Sequence, residues 1–239
     1  MQITTTPMPP ILPRILLLLT FVTGIVDSVS VLAMGRVFTA NMTGNIVVIG
    51  FAMAGVPEFS LPRSITALAG FLAGAVVGGR LGSLMSQKSR ERWVRVAVFC
   101  EAILLLLAGF AAEGFTIAGS TPSMRIYSII VLTAIAMGLR NATVRRLAVP
   151  DLTTTVLTMT VTGIAADSSL AGGNNPRVGY RLASISLILL GAASGALLLR
   201  FGPAAPLLLS GMLVLVSVAL LSPETQKDTS LKTVNVLNQ

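Results

Sequence analysis

Asn41-Met42-Thr43-Gly44-Asn45 opens an apolar run that continues from Ile46 to Val56, and the length of this stretch decides how the chain is threaded. Residues 41–56 would rise only about 24 Å as a helix, short of the roughly 30 Å of hydrocarbon in a bilayer. The polar opening is N-cap chemistry, because Asn accepts hydrogen bonds from the first free N–H groups of a helix. Outward from this stretch lie six longer apolar runs, at 15–35, 64–86, 94–115, 124–145, 180–200 and 202–222. Each is long enough to cross. A second short run, 151–167, opens Asp151-Leu152-Thr153-Thr154-Thr155 and carries six threonines between 153 and 162.

The 239 residues are 54% hydrophobic and 11% charged, with a mean hydropathy of +0.86, whereas a soluble domain is about 25% charged. The lipid bilayer is therefore the expected partner. A net charge of +8 raises the question of nucleic acid, but the Lys and Arg residues sit between apolar runs without interleaved aromatics, so no nucleic-acid partner is expected. Cys100 is the one cysteine and histidine is absent. An internal disulfide is excluded and the commonest general base and metal ligand are missing. No Cys-His, Ser-His or metal-ligand cluster appears, so the sequence predicts neither an enzyme nor a bound metal or cofactor. Arg14 followed by Ile15 to Leu19 resembles the start of a signal peptide, yet Asp27 interrupts the run and no clean cleavage site follows. The expected organisation is a tail (1–13), one transmembrane domain (14–222) and a second tail (223–239).

Three landmarks recur in order. Gly24-x-x-Asp27 is echoed by Gly138-x-x-Asn141, Thr43 by Thr153, and Gly74-x-x-x-Gly78 by Gly191-x-x-x-Gly195. Such duplication is common in transporters. It divides the domain into halves of about 14–119 and 120–222. Charge placement then favours one threading. If both short runs dip in and return on the same side, 13 of the 17 basic residues fall inside and only Arg36, Arg63, Arg125 and Arg200 outside, in keeping with the positive-inside rule. If all eight stretches cross, the best split is 10 of 17. The expected fold is therefore all-α and polytopic, with six full transmembrane helices and two short re-entrant or half helices. Three full spans per half make it an inverted repeat, with both termini cytoplasmic.

In that arrangement residues 36–40 and 147–150 return the chain toward the midplane, and the openings at Asn41 and Asp151 meet there. Two positive helix ends, with Thr43, Gly44, Asn45, Thr153, Thr154 and Thr155 beside them, would bind one solute. The bland alternative is that Asn41 and Asp151 cap surface-starting helices while the threonines pack against neighbours. Asp27 lies past the middle of the first span, where an ionisable group is costly and by default functional. Solute binding and proton coupling compete there with a structural ion pair to Arg140, next to Asn141. Arg140 is close enough to a helix end to snorkel, and Glu101 is either a second proton carrier or a carboxylate hydrated near the boundary. The paired glycines suit close helix packing.

The residues Gly24-Ile25-Val26-Asp27, Gly35 to Asn45, Met137-Gly138-Leu139-Arg140-Asn141-Ala142 and Asp151-Leu152-Thr153-Thr154 resemble the YoaK-like family of bacterial membrane proteins, a UPF0700-type domain of unknown function. The resemblance covers most of residues 14–222, and the Asn-Met-Thr-Gly-Asn run is its most specific part. It implies a six-span protein of the bacterial inner membrane and no particular activity. Arg140 stands where the family carries glutamine, which alters the charge beside the expected site. The resulting expectation is a secondary transporter or facilitator of a small polar or anionic solute. The alternative is a non-transporting scaffold or accessory protein, and self-association is compatible with either.

Overall fold

The computed structural model describes residues 11–85, 90–114, 124–149, 154 and 157–221. Among them are eight α-helices: α1 (Leu12–Ala33), α2 (Met42–Met53), α3 (Leu61–Met85), α4 (Arg90–Ala111), α5 (Met124–Leu147), α6 (Thr158–Ala166), α7 (Val178–Leu198) and α8 (Ala204–Leu220). Five of them, α1, α3, α4, α5 and α7, are long and apolar enough to cross a membrane, and α2 and α8 are shorter apolar helices. The protein is a polytopic α-helical membrane protein.

Local sequence explains several boundaries. Pro13 sits in the first turn of α1, where its missing N–H has no partner to lose. After α1 the chain turns at Gly35 and Arg36, with φ of +87° and +59°. The expected helix over 151–167 is corrected: α6 begins at Thr158 and is preceded by Leu157, which makes no side-chain cap. Thr154 adopts φ +60°, incompatible with a right-handed helix. Asp151, where the cap was expected, lies outside the described residues.

Glycine sets the closest helix pairs. A Cβ on Gly24 would strike the α7 backbone at Ile188 O and 2.7 Å from Ala192 N, and one on Gly138 would strike the α3 backbone at Phe71 O and 2.9 Å from Ala75 N. Gly191 presses likewise on Phe21 O, and Gly74 on Ile135 O. Without side chains at these positions the backbones approach closely, which drives helix association where lipid offers no hydrophobic force. Both pairs are parallel. Phe21 and Ser28 meet Gly191 and Gly195 in turn, while Gly70, Gly74, Gly78 and Gly82 meet Ala134, Ile135, Ala142 and Arg146.

Two apolar clusters fix the remaining directions. One joins the starts of α1 (Leu12, Ile15) and α4 (Trp93, Val94) to the ends of α3 (Met85), α5 (Leu147) and α8 (Leu220). The other joins the ends of α1 (Ala33) and α4 (Ala108, Ala112) to the starts of α3 (Ala67), α5 (Ile126) and α8 (Ala204). Helices α1, α4 and α7 thus run one way and α3, α5 and α8 the other. The principal contacts, α3 with α5, α1 with α7, α4 with α8, α4 with α5, α1 with α8, α2 with α3 and α6 with α7, map onto themselves when α1–α4 are exchanged with α5–α8.

The excursion through α2 closes on itself. Arg36 pairs with Glu58 at 3.6 Å, and its guanidinium lies 5.8 Å from the Phe59 ring centre. Both ends of α2 are therefore flanked by residues that meet one another.

Candidate functional site

The segment between α1 and α2 is held open by one side chain. The Asn45 amide donates to Phe38 O at 2.8 Å and accepts from Phe38 N at 3.1 Å, so both backbone groups of Phe38 are satisfied outside regular secondary structure. Gly44 leaves room for the Phe38 ring, which lies 2.9 Å from where a Cβ would stand. Asn41 caps α2 as expected, its Oδ1 accepting from Gly44 N at 3.3 Å. Asn45 is corrected from solute ligand to brace, because its hydrogen-bonding capacity is used on Phe38. Asn45→Ala removes the partner of two part-buried backbone groups, and a loss of about 1 kcal/mol is expected, read as a lowered melting temperature.

Phe38, Asn41, Thr43, Gly44, Val47, Val48 and Phe51 form one wall of a cavity of about 430 Å³, and Leu157 and Thr158 at the start of α6 form the other. The structure thus brings the openings of the two short helices to one space of ligand size. Thr43 is exposed toward solvent or lipid. Asp151, Thr153 and Thr155 lie outside the described residues. Thr154 is buried, and its hydroxyl, like that of Thr39, finds no hydrogen-bond partner among the described residues.

Asp27 sits behind this wall. Its carboxylate faces the Ala40 N–H, one residue before the cap, and Oδ1 is buried without a hydrogen-bond partner. Arg140 pairs with Glu101 and not with Asp27, although its charge still acts on Asp27. The Arg140 guanidinium is held by Glu101 through Nε at 2.8 Å and through Nη2, and by Leu19 O and Thr23 Oγ1 at 2.7 Å each. Arg140 and Glu101 are 2% and 1% exposed, so neither snorkelling nor boundary hydration describes them. A cavity of about 10 Å³ beside the pair has room for about one water. The pair links α1, α4 and α5 and sits at the core, which makes Glu101 a poorer mobile-proton group than Asp27. Sequence reasoning missed this partnership. The available signal was two opposite charges isolated in separate apolar runs, which in a membrane usually pair.

Asn141 does not join the cavity. Its Nδ2 donates to Met137 O at 2.8 Å, and it faces a separate groove between α3 and α5. The glycine landmarks pack helices against one another.

These features define a multi-pass α-helical membrane protein with a polar-mouthed cavity between two short helices. The chain belongs to the DUF1275 family of proteins of unknown function, whose model matches residues 15–220. It is similar to the UPF0700 transmembrane protein YoaK of Bacillus subtilis (strain 168), with 35% identity over 159 residues, 65% of this chain. The match spans 66% of that relative, just under two thirds of its length. No solved structure matches.

Proposed function

We propose that this protein is a secondary transporter or facilitator of a small polar or anionic solute in the bacterial inner membrane, and not an enzyme. The observation that carries the reading is the cavity shared by the openings of α2 and α6, with the Asp27 carboxylate behind its wall. Helix N-termini carry partial positive charge and free N–H groups, and transporters use paired half-helix ends in this way.

The topology belongs to the same proposal. Helices α1, α3, α4, α5, α7 and α8 cross, α2 and α6 are re-entrant, and the halves form an inverted repeat with both termini cytoplasmic. Support comes from the shared cluster at the starts of α1 and α4, which requires an even number of crossings between them. Further support comes from charge. Arg14, Arg80, Arg90, Arg145, Arg146 and Arg177 gather at that end, against Arg36, Arg63, Arg125 and Arg200 at the other, as the positive-inside rule asks of a cytoplasmic face. In a Cys100→Ala background, single cysteines at Arg36 and Glu58 should both label from outside, and cysteines at Arg146 and Asn174 only from inside. Labelling of positions 36 and 58 from opposite faces would defeat this topology.

Solute binding is tested by Asp27→Asn. The variant should keep its abundance and melting temperature while losing ligand-dependent stabilisation across a solute panel, or losing the pH dependence of uptake. A scaffold role is the second reading, favoured by the use of the Asn41 and Asn45 side chains on backbone groups. It predicts no stabilising solute and no uptake in proteoliposomes for wild type.

A further inference from the structure

We propose that the groove between α3 and α5, at the end of the bundle where α1 and α4 begin, is a binding site for an anionic phospholipid. The groove has a volume of about 620 Å³ and is lined by Phe71, Ala75 and Gly79 on α3 and by Asn141, Ala142, Arg145 and Arg146 on α5. Its chemistry is graded along the membrane normal. Arg145 and Arg146 lie in the last turn of α5, at the membrane surface. Asn141 is one turn deeper, about 6 Å, at the level of the glycerol and ester groups. Phe71 is two turns from Gly79, about 12 Å, and supplies an apolar floor for an acyl chain. Polar head, hydrogen-bonding collar and apolar slot follow the order in which a lipid presents its own parts.

Three observations separate this groove from an ordinary basic helix end. Neither Arg145 nor Arg146 forms an ion pair, and no acidic side chain lines the groove among the described residues. Gly79 leaves the slot open, since a Cβ there would meet nothing within 4 Å. Arg146 is also positioned, its Cδ lying 2.7 Å from where a Cβ on Gly82 would stand, so the guanidinium is directed by the packing of its stem. The exchange of halves that relates α3–α5 to α7–α1 places Val31 and Leu32 at the positions of Arg145 and Arg146. The fold holds the equivalent helix pair together without cations, so the arginine pair answers to something other than packing. Basic pockets between helices near the membrane surface bind anionic headgroups.

The test is thermal unfolding of the full chain in detergent with added phosphatidylglycerol, phosphatidylcholine or inorganic phosphate. Phosphatidylglycerol should raise the melting temperature of wild type by about 5 °C at saturation, and the other two should not. The double variant Arg145→Gln/Arg146→Gln should lose the shift, while Arg14→Gln/Arg80→Gln, which removes equal charge from the same end, should keep it. Gly79→Leu fills the slot without touching the charges and is expected to fold, so it provides an independent arm in which the shift also disappears. Retention of the shift in Gly79→Leu, its equal loss in both double variants, or its reproduction by phosphate alone would overturn the proposal.

Discussion

Arg140→Gln should be among the most destabilising single substitutions in the chain, at about 3–5 kcal/mol, because it leaves the Glu101 carboxylate buried without its partner. The double variant Arg140→Gln/Glu101→Gln should recover most of that loss, since two neutral amides can bond to each other at the same place. Thr23→Val removes one of the four bonds to the guanidinium and should cost about 1 kcal/mol. The measurement is a double-mutant cycle read by unfolding in mixed detergent. Equal destabilisation in the single and double variants would show that the pair does not act as a unit. Asp27 lies outside this pair but feels the Arg140 charge, so Asp27→Asn should combine non-additively with Arg140→Gln.

Four glycines should be nearly irreplaceable and two others indifferent. Leucine at Gly24, Gly74, Gly138 or Gly191 would drive a side chain into the backbone of the facing helix, where nothing can move aside without parting the pair. Each should cost about 3 kcal/mol or more, beyond the usual penalty for an overpacked core, and should remove the monodisperse folded species in detergent. Leucine at Gly50 or Gly79, where nothing lies within 4 Å, should leave melting near wild type. Gly74 and Gly79 lie in the same helix, so a general effect of glycine on helix propensity would affect both alike. A uniform response across all six positions would contradict the packing role.

Much of the architecture was legible because lipid imposes rules that sequence obeys locally. Runs of apolar residues give the long helices by length alone, and the shortness of 41–56 marked α2 before any packing was known. The glycine spacings were readable as a repeat because close approach tolerates no substitute. The site was harder to read. Asn45 and Asn41 look alike on paper, and only their hydrogen bonds show that the first braces Phe38 while the second caps a helix. The described α6 starts at Thr158, later than the polar opening at Asp151 suggests, and Thr154 in a left-handed conformation was not legible in the sequence. The Arg140–Glu101 partnership joins residues 39 apart in sequence on different helices, and no periodicity within one helix encodes it.

The parallel glycine pairs also constrain how this protein is made. Gly24 seats on Gly191, so α1 has a close-packed neighbour 167 residues downstream. At a synthesis rate of roughly 5–20 residues per second, α1 waits on the order of ten to thirty seconds in the bilayer before α7 exists. Gly138 of α5, by contrast, finds Gly74 of α3 already inserted. Biogenesis is therefore lopsided even though the finished halves correspond: the α3–α5 seam closes during translation, and the α1–α7 seam closes only near its end. During that interval the glycine face of α1 lacks the α7 backbone that covers it in the folded protein.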